Sequence, residues 1–194
     1  SVALVWSRFK YYNIPVIRYN TSIAQKEIAE FISQHYDIIL NDRNIIAPYE
    51  LDIVIPKLNI AIEYDGILWH SENFQGKDSL YHLSKTLSAE NSGYRLIHIF
   101  SNEWKDKKRI VKSRLLQMMG KSDRIFARKC DIKQLKYNEV KSFLEECHIQ
   151  GTVKSSLNYG LFYNNELVSV MTFCKNRYSK VGGYELLRFC NKLN

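Results

Sequence analysis

Residues 50–70, ELDIVIPKLNIAIEYDGILWH, decide the expected fold of this chain. Two runs rich in β-branched residues, LDIVIP and NIAIEYD, each predict a short strand. The PKLN segment between them predicts a tight turn, so the two strands should form an antiparallel hairpin. Four polar residues with metal or acid–base chemistry interrupt these apolar runs, namely Asp52, Glu63, Asp65 and His70.

The three carboxylates of the hairpin are expected to lie close together. Side chains alternate along a strand, so Glu63 and Asp65 share one face while Asp52 comes from the neighbouring strand. Carboxylates held that close repel each other unless a divalent cation neutralises them, and Mg²⁺ typically binds a few carboxylates and keeps several waters. The sequence therefore predicts a metal site formed by Asp52, Glu63 and Asp65. A solvated sheet face is the alternative explanation for any one of these acids.

This arrangement carries a family resemblance. Asp52, then ten residues, then Glu63-Tyr64-Asp65 is similar to the D…(D/E)xK signature of the PD-(D/E)XK, restriction-endonuclease-like nucleases, with Asp65 where the family usually has lysine. The segment DGILWH resembles the very-short-patch repair endonucleases, and more closely the phage-borne EDxHD homing endonucleases. The resemblance covers about residues 20–120. It implies an α/β core with a mixed central sheet, Mg²⁺ or Mn²⁺ as cofactor, and site-specific hydrolysis of double-stranded DNA.

The resemblance also implies further site residues. In the similar nucleases an acid from the first helix joins the metal site, which makes Glu27 a candidate and Glu30 its alternative; an exposed helix carboxylate is the simpler explanation. Asp78, eight residues after His70, is similar to the last Asp of the EDxHD set, although it can equally cap a helix. His70 is placed to exchange a proton with the attacking water or the leaving oxygen. Lys85 would partly replace the missing strand lysine.

Basic residues are concentrated in the second half of the chain. Residues 1–104 have a net charge of −3 and residues 105–194 a net charge of +11, which agrees with the overall +8. The region 105–141 alone holds 13 Lys or Arg against 4 Asp or Glu. Such density beside an acidic site suits a polyanion, so a basic helix predicted over 103–119 is expected to bind DNA, with a solvated helix face as the alternative. Its candidate contacts are Lys105, Lys107, Lys108, Arg109, Lys112 and Arg114.

The composition is typical of a globular protein. The chain has 194 residues, 45% of them hydrophobic and 25% charged. It contains no apolar run of about 18 residues and no visible signal peptide, so we expect a cytoplasmic protein of a bacterial or phage-infected cell. The four cysteines are spaced too widely for a zinc pattern and predict reduced thiols; Cys147-His148 as half of a metal site is the alternative.

Three segments are expected along the chain: an N-terminal extension at 1–20, the nuclease domain at 21–120 and a smaller α+β domain at 121–194. In the second segment, a helix capped by Thr21 or Ser22 should bury Ile23, and a helix ending near Asn91 should direct His82 and Lys85 toward the acids. The third segment predicts a hairpin turning at Asn164-Asn165.

The third segment also resembles the first half of a GNAT-type acyltransferase, without that family's glycine-rich loop before Asn194. An accessory DNA-contacting role is therefore expected for it. Two alternatives stay open. One is acyl transfer, if the native chain is longer, and the other is a nucleic-acid-binding protein whose catalytic site has decayed.

Overall fold

The structure is a computed structural model, and it describes residues 22–66, 80–176 and 182–194. These residues form two four-stranded sheets accompanied by helices. In each sheet, the strands lie side by side in the order in which they occur along the chain. The predicted mixed α/β fold class is confirmed. No helix in this described part of the chain is both long and apolar enough to cross a membrane.

The first sheet is built on the predicted hairpin. Its strands are β1 (Ile39–Asp42), β2 (Leu51–Ile55), β3 (Ile60–Asp65) and β4 (Arg95–Phe100). Strand β2 pairs antiparallel with both β1 and β3. The turn between β2 and β3 is a short 3₁₀ helix, Pro56–Leu58, followed by Asn59 in the left-handed region at φ 52°. Asparagine is among the few residues that adopt this conformation readily, so the PKLN segment encodes its own turn.

Two helices accompany this sheet, α1 (Ile23–Ser33) and α2 (Leu80–Asn91). The Ser22 hydroxyl caps α1 by accepting a hydrogen bond from the backbone N–H of Gln25 at 3.0 Å. The expectation that Ile23 is buried is wrong, because this side chain is 80% exposed while Gln25 is buried. Helix α2 contributes Ala89 to a core cluster of apolar residues in β2, β3 and the loop before β2: Ile46, Leu51, Val54 and Ala61.

The predicted basic helix over 103–119 consists of two helices, α3 (Ser101–Asp106) and α4 (Lys108–Met118). The break falls at Lys107, whose backbone angles of φ −130° and ψ 32° are not helical. Trp104 in α3 and Ile110, Val111 and Leu115 in α4 are buried, which leaves the basic side chains for the opposite surface.

The second sheet is an antiparallel meander of β5 (Asp131–Leu135), β6 (Leu157–Tyr163), β7 (Glu166–Lys175) and β8 (Tyr184–Asn191). Helix α5 (Tyr137–Cys147) packs Val140 and Leu144 against Val170 of β7. The hairpin turns at Asn164 and Asn165, with φ of 50° and 64°, as predicted. Strand β5 begins at Asp131, after a 3₁₀ turn at Ala127–Lys129. The three expected segment boundaries stay a prediction.

Candidate active site

Asp52 and Glu63 face each other across the hairpin. The paired register of β2 and β3 runs to Ile53 and Ile62, and one step further places Asp52 opposite Glu63 on the same face. The backbone N–H of Asp52 donates to Glu63 Oε1 at 3.1 Å, and the backbone N–H of Tyr64 donates to Asp52 Oδ2 at 2.9 Å. The two carboxylates therefore receive backbone donors of the hairpin and are fixed by the strands themselves.

Lys85 of α2 reaches Glu63 and forms a buried ion pair with it. The Lys85 ammonium donates to Glu63 Oε2 at 2.5 Å, and the two residues are only 6% and 7% exposed. Burial, followed by the negative charge of Asp52, raises the pKa of the Glu63 carboxyl from its ordinary value of 4.5 to about 7, although Lys85 acts in the opposite direction. Glu63 thus changes its charge near neutral pH.

Asp65 forms a second pair with an imidazole. The Asp65 side chain is 4% exposed, and its Oδ2 lies 2.7 Å from Nδ1 of His98 on the neighbouring strand β4. A carboxylate at this distance fixes which imidazole nitrogen carries a proton. His98 was not among the residues singled out from the sequence. The only signal for it is a histidine inside the otherwise apolar run LIHIF.

Asp65, His98 and His82 form a group that fits a metal ion. Each offers one ligand atom, and within the described residues these three atoms all lie within 4.8 Å of one another. Imidazole nitrogen is a common ligand of transition metals, whereas carboxylate oxygen also suits Mg²⁺ and Mn²⁺. This group shares Asp65 with the predicted carboxylate site. The assignment of Asp52 and Glu63 as metal ligands stays a prediction.

For four further predicted residues, a role in the site stays a prediction. Glu27 and Glu30 are exposed on α1, whose buried side is formed by other residues, so a role for either in the site stays a prediction. His70 and Asp78 fall outside the described residues. The Cys147-His148 alternative gains little, because burial raises the pKa of the Cys147 thiol and so disfavours the thiolate that a metal binds. All four cysteines are free thiols.

The predicted DNA-contacting residues differ in what they already bind. The Lys107 ammonium donates to the backbone carbonyl of Glu145 at 3.2 Å, and Lys108 lies 5.1 Å from the centre of the Trp104 ring. These two side chains are half-buried and hold intramolecular contacts, and Lys112 is half-buried as well.

The other three cations of the set, Lys105, Arg109 and Arg114, are exposed. A guanidinium nitrogen of Arg114 lies 4.0 Å from a Glu103 carboxylate oxygen, an exposed pair that contributes little to stability. Lys105 and Arg109 are therefore the clearest candidates for contacts with phosphate.

The chain was compared with known proteins. No protein-family model matches it, and no curated protein matches it. Among solved structures, it is similar to the "Homing Endonuclease I-Bth0305I Catalytic Domain", with 18% sequence identity and a TM-score of 0.41 over 52% of this chain and 96% of that chain. A likeness at this level assigns no function, which has to come from the residues of the chain itself.

Proposed function

We propose that this protein is a metal-dependent endonuclease that hydrolyses phosphodiester bonds in double-stranded DNA. The observation that carries the proposal is the acidic face of the hairpin. Asp52 and Glu63 are hydrogen-bonded across β2 and β3, and Asp65 lies two residues further along β3 beside His98. Buried acids beside imidazole are typical of hydrolytic sites rather than of a structural sheet face.

A divalent ion fits this set of donors. Asp65, His82 and His98 would hold it, and Asp52 lies on the neighbouring strand as a further carboxylate. When bound, such an ion would polarise the scissile phosphate and offset its negative charge. Mn²⁺ accepts both carboxylate and imidazole ligands, so we propose Mn²⁺ as a better activator than Mg²⁺.

The remaining residues of the site position these groups. Lys85 offsets the charge of Glu63 inside the protein, which is the electrostatic role proposed for the lysine that β3 lacks. The backbone bonds of Asp52 and Tyr64 hold the carboxylates in place. We propose His70 as the residue that carries a proton, and Lys105 and Arg109 as contacts to the DNA phosphates.

A second candidate function is nucleic-acid binding without cleavage. Specific contacts favour it, because Glu63 is paired with Lys85 and Asp65 with the His98 imidazole. Carboxylates that find such partners within the protein do not require an ion for the fold to form.

Supercoiled plasmid incubated with Mg²⁺, Mn²⁺ or EDTA separates the two functions. The endonuclease should relax or linearise the plasmid with either ion, faster with Mn²⁺, and should stop in EDTA. Undiminished cleavage in excess EDTA would refute the proposal that cleavage depends on a metal ion. DNA binding without cleavage in either ion would establish the second candidate.

A further inference from the structure

An exposed aromatic residue lies in a basic segment outside the candidate active site. Residues 124–129, RIFARK, contain three cations and no acid, and all six side chains are exposed. Phe126 is 47% exposed and Ile125 is 45% exposed. A single exposed apolar side chain is common on a protein surface, so the exposure of Phe126 is informative only together with the cations that surround it.

The local backbone fixes how Phe126 is presented. The 3₁₀ turn Ala127–Lys129 begins directly after it, and the backbone N–H of Lys129 donates to the Phe126 carbonyl at 2.9 Å. The Cys130 thiol lies 3.6 Å from the same carbonyl oxygen. A 3₁₀ turn has three residues per turn, so residues 126 and 129 lie on the same side of it.

Two cations accompany the ring. The Arg128 guanidinium carbon lies 4.9 Å from the centre of the Phe126 ring, and the Lys129 ammonium lies 6.0 Å from it. An exposed ring with cations over it is complementary to a nucleobase with its flanking phosphates, because a base can stack on the ring in place of a cation while the displaced cation attracts the backbone.

The segment also continues the basic surface of α4. Arg124 lines a cavity of about 840 Å³ together with Arg114, one of the predicted DNA contacts. A polyanion bound along α4 would therefore meet the 124–129 segment next, and charge complementarity points to nucleic acid rather than to an apolar protein partner.

We propose that Phe126 stacks on an unpaired base of bound DNA, while Arg128 and Lys129 hold the adjacent phosphates. The inference rests on the proposed function in one respect, since both require DNA as a partner. It adds a contact to bases, whereas the contacts proposed for α4 are to phosphates.

Binding of a fluorescent single-stranded oligonucleotide to the full chain in EDTA tests the proposal without cleavage. Phe126→Ala should raise Kd about 5- to 150-fold, the range that stacking on one base commonly supplies. Phe126→Leu keeps an apolar side chain but has no aromatic face, so it should lose as much affinity as Phe126→Ala. Phe126→Trp should retain the parent affinity. Tyr184→Ala is the control, since Tyr184 is an aromatic residue of β8 that is 58% exposed and does not line the cavity shared by Arg114 and Arg124.

Salt dependence separates stacking from charge. Phe126→Ala should leave the slope of log Kd against log salt unchanged, while Arg128→Gln and Lys129→Gln should each reduce its magnitude by about 0.7. The melting temperature of each variant shows whether it is folded, and Phe126→Leu gives the stacking test if Phe126→Ala does not fold. A parent-like Kd for Phe126→Ala or Phe126→Leu would overturn the proposal, as would an equal loss of affinity for Tyr184→Ala.

Failure of this inference is distinguishable from failure of the proposed function. If the parent cleaves plasmid with Mn²⁺ and Phe126→Ala binds DNA as the parent does, only the stacking role is refuted. If no ion supports cleavage and Phe126→Ala still weakens binding, the stacking role stands and the endonuclease is refuted. A parent chain that binds no oligonucleotide overturns the inference.

Discussion

Replacing Glu63 by glutamine tests the electrostatic description of the candidate site. Glutamine keeps the shape of the carboxyl group and cannot ionise. Burial and the charge of Asp52 raise the pKa of Glu63 from 4.5 to about 7 in the folded protein. Between those two values the folded chain keeps a proton that the unfolded chain has released, so the parent should lose stability as the pH rises through this window.

The size of the effect follows from the two pKa values. Each pKa unit between the folded and unfolded states corresponds to about 1.36 kcal/mol. The difference between 4.5 and about 7 thus gives a change of about 3 kcal/mol, fully present above pH 7 and absent well below pH 4.5. Glu63→Gln lacks this titration. Its free energy of unfolding, relative to that of the parent, should therefore rise by about 3 kcal/mol from pH 4.5 to pH 7.5.

Urea unfolding of parent and variant in EDTA, at pH steps across this range, measures the difference with no ion bound. Glu90→Gln, which removes an exposed carboxylate from α2, controls for the loss of one negative charge. A difference independent of pH would refute the argument from burial. A difference of the opposite sign, with the parent gaining stability as the pH rises, would show that the ion pair with Lys85 outweighs burial.

Two further variants test the metal ligand and the phosphate contacts. Asp65→Asn should abolish both plasmid cleavage and the rise in melting temperature that Mn²⁺ produces in the parent. Asp37→Asn, the same change at an exposed acid before β1, should retain both. A parent-like response of Asp65→Asn in calorimetry would remove Asp65 from the ligand set. Replacing Lys105 of α3 and Arg109 of α4 together by alanine should reduce the slope of log Kd against log salt for duplex DNA by about 0.9 per cation. An unchanged slope would show that these two helices present only a solvated face. Lys107→Ala serves as the comparison, because this side chain already contacts Glu145.

The hairpin was predictable because its determinants are local. Runs rich in β-branched residues set the strands, and Asn59 permits the left-handed backbone of the turn. The same holds for the Ser22 cap and for the turn at Asn164 and Asn165. In each case a residue acts on a backbone within a few positions of itself, which a sequence displays directly.

The buried side of α1 was not predictable in the same way. Hydrophobic periodicity favours burial of Ile23, yet Gln25 takes the buried position, where its Nε2 donates to Oδ1 of Asn41 at 3.2 Å. Asn41 lies in β1, sixteen residues away, and its φ of 52° is unusual within a strand. A buried amide is tolerated only where such a partner exists, so its burial depends on the tertiary structure.

The candidate site shows the same division between local and distant determinants. His82 and Lys85 are three residues apart and therefore lie on one side of α2, which the sequence displays. His98 lies beside Asp65 only because β4 is the neighbour of β3 in the sheet. The sequence of neither strand predicts which strands are neighbours. In the proposed function that pairing adds imidazole to the carboxylates of the site, which is the physical reason to expect Mn²⁺ rather than Mg²⁺ to activate the protein best.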